Sequence, residues 1–84
     1  MSQHADITKE VLARSVKFNL SLDDAHDLLT SILVCADYDD SMLPSKSEMA
    51  SLVRGYLLNQ RDGLYGVSHG QINDWLSRNG TLIR

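Results

Sequence analysis

Val67-Ser68-His69-Gly70-Gln71-Ile72-Asn73-Asp74-Trp75-Leu76-Ser77-Arg78-Asn79-Gly80 carries the punctuation of one whole helix. Ser68 is the expected N-cap, and Gln71, three residues on, completes a capping box. Val67 and Ile72 occupy the two positions of a hydrophobic staple, and Gly80 stands where a C′ stop belongs. Ile72, Trp75 and Leu76 form the apolar side. His69, Gln71, Asn73, Asp74 and Arg78 form the polar side. The spacing predicts a helix over 69–78.

Similar starts recur upstream. Ser21 with Asp24 and Ser45 with Glu48 are Ser-x-x-acid signals, each followed by apolar residues at helical intervals. Before them, Asp6 is the expected N-cap of a first helix over about Ile7 to Phe18. Its apolar side takes Ile7, Val11 and Phe18, with Leu12 and Val16 beside them. After Ser21 the apolar arc is broad: Leu22, Ala25, Leu28, Leu29, Ile32, Leu33, Val34, Cys35 and Ala36. Such an arc marks the most buried helix. Met49, Leu52, Val53, Tyr56 and Leu57 make a narrower stripe after Ser45, closed by the turn signal Gln60-Arg61-Asp62-Gly63. No strict alternation suited to a strand stands out. The expectation is an all-α fold: a small bundle of about four short helices, one domain over 1–84, with short loops and mostly antiparallel neighbours.

The 84 residues are 43% hydrophobic and 23% charged, enough for one core and too apolar for disorder. The net charge of −3 excludes a strongly basic nucleic-acid binder. Lys9, Arg14, Lys17 and Lys46 are outnumbered by acids in the first 53 residues, whereas Arg54, Arg61, Arg78 and Arg84 outnumber Asp62 and Asp74 in the rest. Any basic face is therefore expected in the C-terminal third. The lone Cys35 permits no internal disulfide, and the first residues lack a leader pattern. The longest apolar run, Ile32 to Ala36, is too short to span a bilayer. A cytoplasmic protein with no membrane association is expected.

Gly66-Val67-Ser68, followed by Gln71-Ile72 and Trp75-Leu76, resembles the turn and recognition helix of helix-turn-helix regulators of the phage-repressor type. The resemblance covers residues 66–76. It implies that Gln71, Asn73 and His69 meet base edges in the major groove while Ser68, Arg61 and Arg78 meet phosphate. Upstream the chain departs from the family. Asp62 stands where a small residue is usual, with Gly63 beside it. Either the preceding helix ends near Asn59, or the motif is not a true helix-turn-helix. The plain alternative is an amphipathic closing helix. Gly70 lowers helix propensity by about 1 kcal/mol relative to Ala, and it leaves the backbone open to close approach.

A second candidate surface is the acidic corner Asp37, Tyr38, Asp39 and Asp40. Asp-x-Asp spacing after an apolar run superficially matches a phosphotransfer motif, but that chemistry needs a parallel strand and a larger α/β domain. A calcium loop starting at Asp37 would require Gly at its sixth position, where Met42 stands. What remains is a solvated loop, or a contact surface for a basic protein partner. Acids at a helix C-terminus oppose its dipole.

His4, His26 and His69 share no metal-ligand spacing with each other or with Cys35. His4 is read as part of a frayed terminus, His26 as a surface residue and Cys35 as a small core residue. No phosphate-binding glycine loop and no acid–base pair is evident, so the reading is non-enzymatic, without cofactor or metal. Tyr38, Tyr56, Leu64, Tyr65 and Trp75 are many large side chains for so short a chain, which makes a homodimer a further candidate. The expected role is that of a small regulatory protein that binds, either DNA or a basic protein.

Overall fold

The computed structural model describes residues 3–59 and 64–79. Arg61, the Asp62-Gly63 turn signal, Gly80 and the tail 81–84 lie outside the described residues. Four helices make the fold: α1 (Gln3–Lys17), α2 (Leu22–Cys35), α3 (Lys46–Leu58) and α4 (His69–Arg78), with a short 3-10 turn at Asp40–Met42. The all-α small bundle expected from sequence is the observed fold.

The serine starts are used as read. Ser21 Oγ accepts from the Asp24 amide at 3.1 Å. Ser45 and Ser68 each close a complete capping box, with Glu48 and Gln71 returning a hydrogen bond to the cap backbone. α1 starts earlier than expected, at Gln3, so Asp6 sits inside its first turn rather than capping it. There its charge suits the dipole.

The ends of α1 and α2 were not visible beforehand. Leu20 N–H reaches Ser15 O and Asn19 N–H reaches Val16 O, with Asn19 at φ 56°. Tyr38 N–H reaches Leu33 O and Asp37 N–H reaches Val34 O, with Asp37 at φ 66°. Both are Schellman closures, built on Asn and Asp instead of glycine. The first turns the chain sharply, so α1 and α2 pack together as a hairpin.

The core joins all four helices through Leu12, Val16, Leu29, Leu33, Met49, Val53, Ile72, Trp75 and Leu76. α2 is not its most buried member. Only Ala25, Leu29 and Leu33 of α2 are buried, whereas α1 buries Thr8, Val11, Leu12, Ala13, Ser15 and Val16. Neighbours cover just the middle of the broad apolar arc, and Leu28, Ile32, Val34 and Cys35 face outward. Cys35 is thus a surface thiol, not a core residue. Phe18, expected on the core side of α1, is 69% exposed because the helix ends beneath it.

Two histidines are also re-assigned. His4 belongs to α1, its Nε2 2.7 Å from Met42 O and its ring edge-on to Tyr38. His26 is half-buried, with Nε2 3.1 Å from Pro44 O, tying α2 to the entry of α3.

Candidate nucleic-acid interface

α4 is delivered by a tight turn. Val67 N–H donates to Leu64 O at 3.0 Å, and Gly66 has φ 68° while Tyr65 does not share that region. Positive φ at the third residue alone is the type II pattern, which favours glycine there. The turn sends Leu64 and Val67 into the core and leaves Tyr65 at its tip, 54% exposed. α3 ends at Leu58 and α4 begins at His69. Residues 59–68 separate them, a longer connection than the three or four residues of a helix-turn-helix. The preceding helix does end early, at Leu58, next to the expected Asn59.

Ile72, Trp75 and Leu76 are buried, as their spacing required. Trp75 Nε1–H donates to Leu20 O at 2.6 Å, which pins α4 against the α1–α2 corner. Asn79 completes the joint. Its Oδ1 accepts from Leu22 N–H at 2.8 Å and its Nδ2 donates to Trp75 O at 2.9 Å.

The remaining side chains of α4 face outward. His69, Asn73 and Ser77 follow one another at intervals of four, so they form one row. Among the described residues no hydrogen bond holds the His69 or Asn73 side chain. Gln71 and Ser68 are exposed but face each other across the capping box, so Gln71 Oε1 is engaged with Ser68 N–H. Arg78 pairs with Asp74 at 3.0 Å. It stands at the far end of α4 from Ser68, so these two of the three expected phosphate contacts do not cluster, the third, Arg61, lying outside the described residues.

Two cations of α1, which sequence order assigned to the acidic part of the chain, stand beside Tyr65 in the turn into α4. Lys9 Nζ lies 5.3 Å from the Tyr56 ring centroid and 5.4 Å from that of Tyr65. Lys17, Phe18 and Tyr65 line one shallow groove of about 500 Å³. Lys17 Nζ is 6.0 Å from the Phe18 ring. The result is a strip of two lysines and two exposed aromatic rings beside the turn into α4, with the ion pair Glu10–Arg14 on the same groove. Only the Lys-x7-Lys spacing on α1 was available to signal it.

The acidic corner is more structural than expected. Asp39 caps the 3-10 turn, accepting from both the amide and the hydroxyl of Ser41. Asp37 is the left-handed residue that closes α2, and Tyr38 is half-buried against the core and His4. Asp37 and Asp40 are exposed. The turn they flank walls an open groove of about 690 Å³, whose other sides include Leu43, Ser47, Ser51, Leu52 and Tyr56.

Among the described residues two carboxyls and one ammonium have displaced ionisation. Hydrogen bonding and attraction between Asp23 and Lys46, 2.6 Å apart, lower the Asp23 carboxyl and raise the Lys46 ammonium. Hydrogen bonds from the backbone and hydroxyl of Ser45 lower the Glu48 carboxyl. All three groups serve helix starts and none lies in the α4 surface. Among the described residues no three His, Cys, Asp or Glu side chains gather as a metal site, and no helix is long and apolar enough to cross a membrane. Compared with known proteins, the chain matches no family model, no curated protein and no solved structure.

Proposed function

We propose that this protein is a small non-enzymatic regulator that binds DNA through the outward face of α4. The observation that carries the reading is the position of Lys9 against Tyr65, which sets the cationic edge of α1 beside the turn into α4. His69 and Asn73 then offer hydrogen bonds to base edges. Lys9 and Lys17 supply phosphate contacts, joined by Ser68 and by Arg78 once it leaves Asp74. Gln71 contributes its Nε2 donors, since its oxygen serves the cap. Arg61 belongs to the same proposal by sequence. Few cations on an acidic chain give weak binding per protomer.

The test is a fluorescence-anisotropy titration of labelled duplex DNA pools at low salt. Retention of a common sequence, weakened by Asn73→Ala and His69→Ala, supports the reading. Binding that is indifferent to both substitutions, or no binding at low salt, rejects it.

A second reading is favoured by the groove beside the acidic corner. Met42 and Leu52, both about two-fifths exposed, give it an apolar lining, Glu48 lines it too, and the exposed Asp40 adjoins its lining residue Ser41 in the 3-10 turn. A basic amphipathic segment of a protein partner fits that combination. Titration with an amphipathic lysine–leucine peptide tests it. Saturable binding abolished by Leu52→Glu and weakened by Asp40→Lys is expected. Binding unchanged by Leu52→Glu rejects it.

A further inference from the structure

The outward flank of α2 carries Leu28 and Ile32, 38% and 37% exposed, one helical turn apart. Beside them on α1 stand Ile7 and the ion pair Glu10–Arg14, whose oxygen and nitrogen are 3.1 Å apart. All of these residues line one groove of about 190 Å³ between the two helices. An apolar ridge one turn long therefore runs parallel to a charge pair one turn long. The acid and the base are both on the rim, both more than half exposed and free of any fold-supporting burial.

That pattern is self-complementary. A two-fold axis in the plane of the surface, passing midway along the two pairs, reverses each of them. It sets Leu28 against the partner's Ile32 and Glu10 against the partner's Arg14, twice over. Isologous contact requires this reciprocity. A foreign partner would need only one sign of charge on the rim. We infer that the α1–α2 flank is a homodimer interface, with a second copy of this chain as its occupant. The inference goes beyond the DNA reading and does not rest on it, because its apolar contacts, Leu28 and Ile32, lie outside the groove of Lys17 and Tyr65. It also differs from the aromatic surplus that first raised dimerisation: Trp75 and Leu64 of that set are buried in the core.

The charge pair supplies a test that folding defects do not confuse, since both side chains are exposed. Molar mass is measured by light scattering or sedimentation equilibrium for wild type, Glu10→Arg, Arg14→Glu and an equimolar mixture of the two variants. Wild type is expected to dimerise. Each variant alone sets like charges across the axis and raises the dimer dissociation constant about tenfold or more. The mixture pairs an all-basic rim with an all-acidic rim and regains dimer mass. Leu28→Glu gives a folded monomer. A wild type that stays monomeric at high concentration overturns the inference. So does a dimer that survives Leu28→Glu, or a mixture no more associated than its components. Glu10 and Arg14 also line the groove of Lys17 and Tyr65, so DNA binding is compared between wild type and Leu28→Glu, which lies outside that groove. A failed dimer then leaves the α4 reading standing, and the reverse holds too.

Discussion

Asn79 and Leu22, 57 residues apart in sequence, are joined by a 2.8 Å hydrogen bond from the Leu22 amide to Asn79 Oδ1. The same side chain donates to Trp75 O. One amide thus closes the C-terminal end of α4 and satisfies the first amide of α2. Helix ends leave such groups without intrahelical partners, so this residue fixes where α4 sits. Asn79→Ala is expected to lower the unfolding free energy by about 1–2 kcal/mol, read as a lower urea midpoint at unchanged slope.

Asp37 holds φ 66° just past the end of α2, where it brings a negative charge to the negative end of the helix dipole. Both conditions favour glycine there. Asp37→Gly should raise stability by up to about 1 kcal/mol, and Asp37→Val should lower it by a similar amount or more. Thermal denaturation of the pair gives the sign of each.

Glu48 has its carboxyl lowered by the Ser45 amide and hydroxyl. A carboxyl depressed on folding adds stability that is complete above its unfolded value, about 4.3. That contribution is lost as pH falls through the depressed folded value. Urea unfolding followed by circular dichroism at a series of acid pH values should therefore show stability falling from the unfolded value of about 4.3 down through the depressed folded one. Glu48→Gln retains an acceptor for the capping box and should remove this part of the pH dependence. An identical acid profile for wild type and variant would refute the assignment.

Gly70 has room for a side chain: an added Cβ meets only Ser68 Oγ, at 3.8 Å. Gly70→Ala should stabilise the protein by about 0.5–1 kcal/mol. If DNA phosphate approaches the backbone at the start of α4, the same variant binds DNA more weakly. Stability and binding that rise together would contradict that approach.

Cys35 lies at the edge of an apolar arc that its neighbours do not cover. Cys35→Ser should shift stability by less than about 0.5 kcal/mol, and a chemical denaturation curve decides it. The thiol shows where sequence reading stops. Helix starts were legible because Ser21, Ser45 and Ser68 act on amides three residues away. The closures at Asn19 and Asp37 were not, because left-handed Asn and Asp look like ordinary polar residues. Periodicity located the arc of α2 but not its coverage, since burial depends on which neighbours reach it. Hence Leu29 and Leu33 were read correctly, and Cys35 and Phe18 were not. The outward face of α4 followed from spacing alone. Its cations did not: Lys9 meets Tyr65 only after the chain has folded.

The salt dependence of DNA affinity, measured for wild type and for Lys9→Gln/Lys17→Gln, tests the α1–α4 surface most directly. Each phosphate contact contributes about 0.9 to the slope of log affinity against log salt. The double variant should bind more weakly at low salt, with a slope shallower by roughly 2. Equal slopes for the two proteins would contradict the proposed surface.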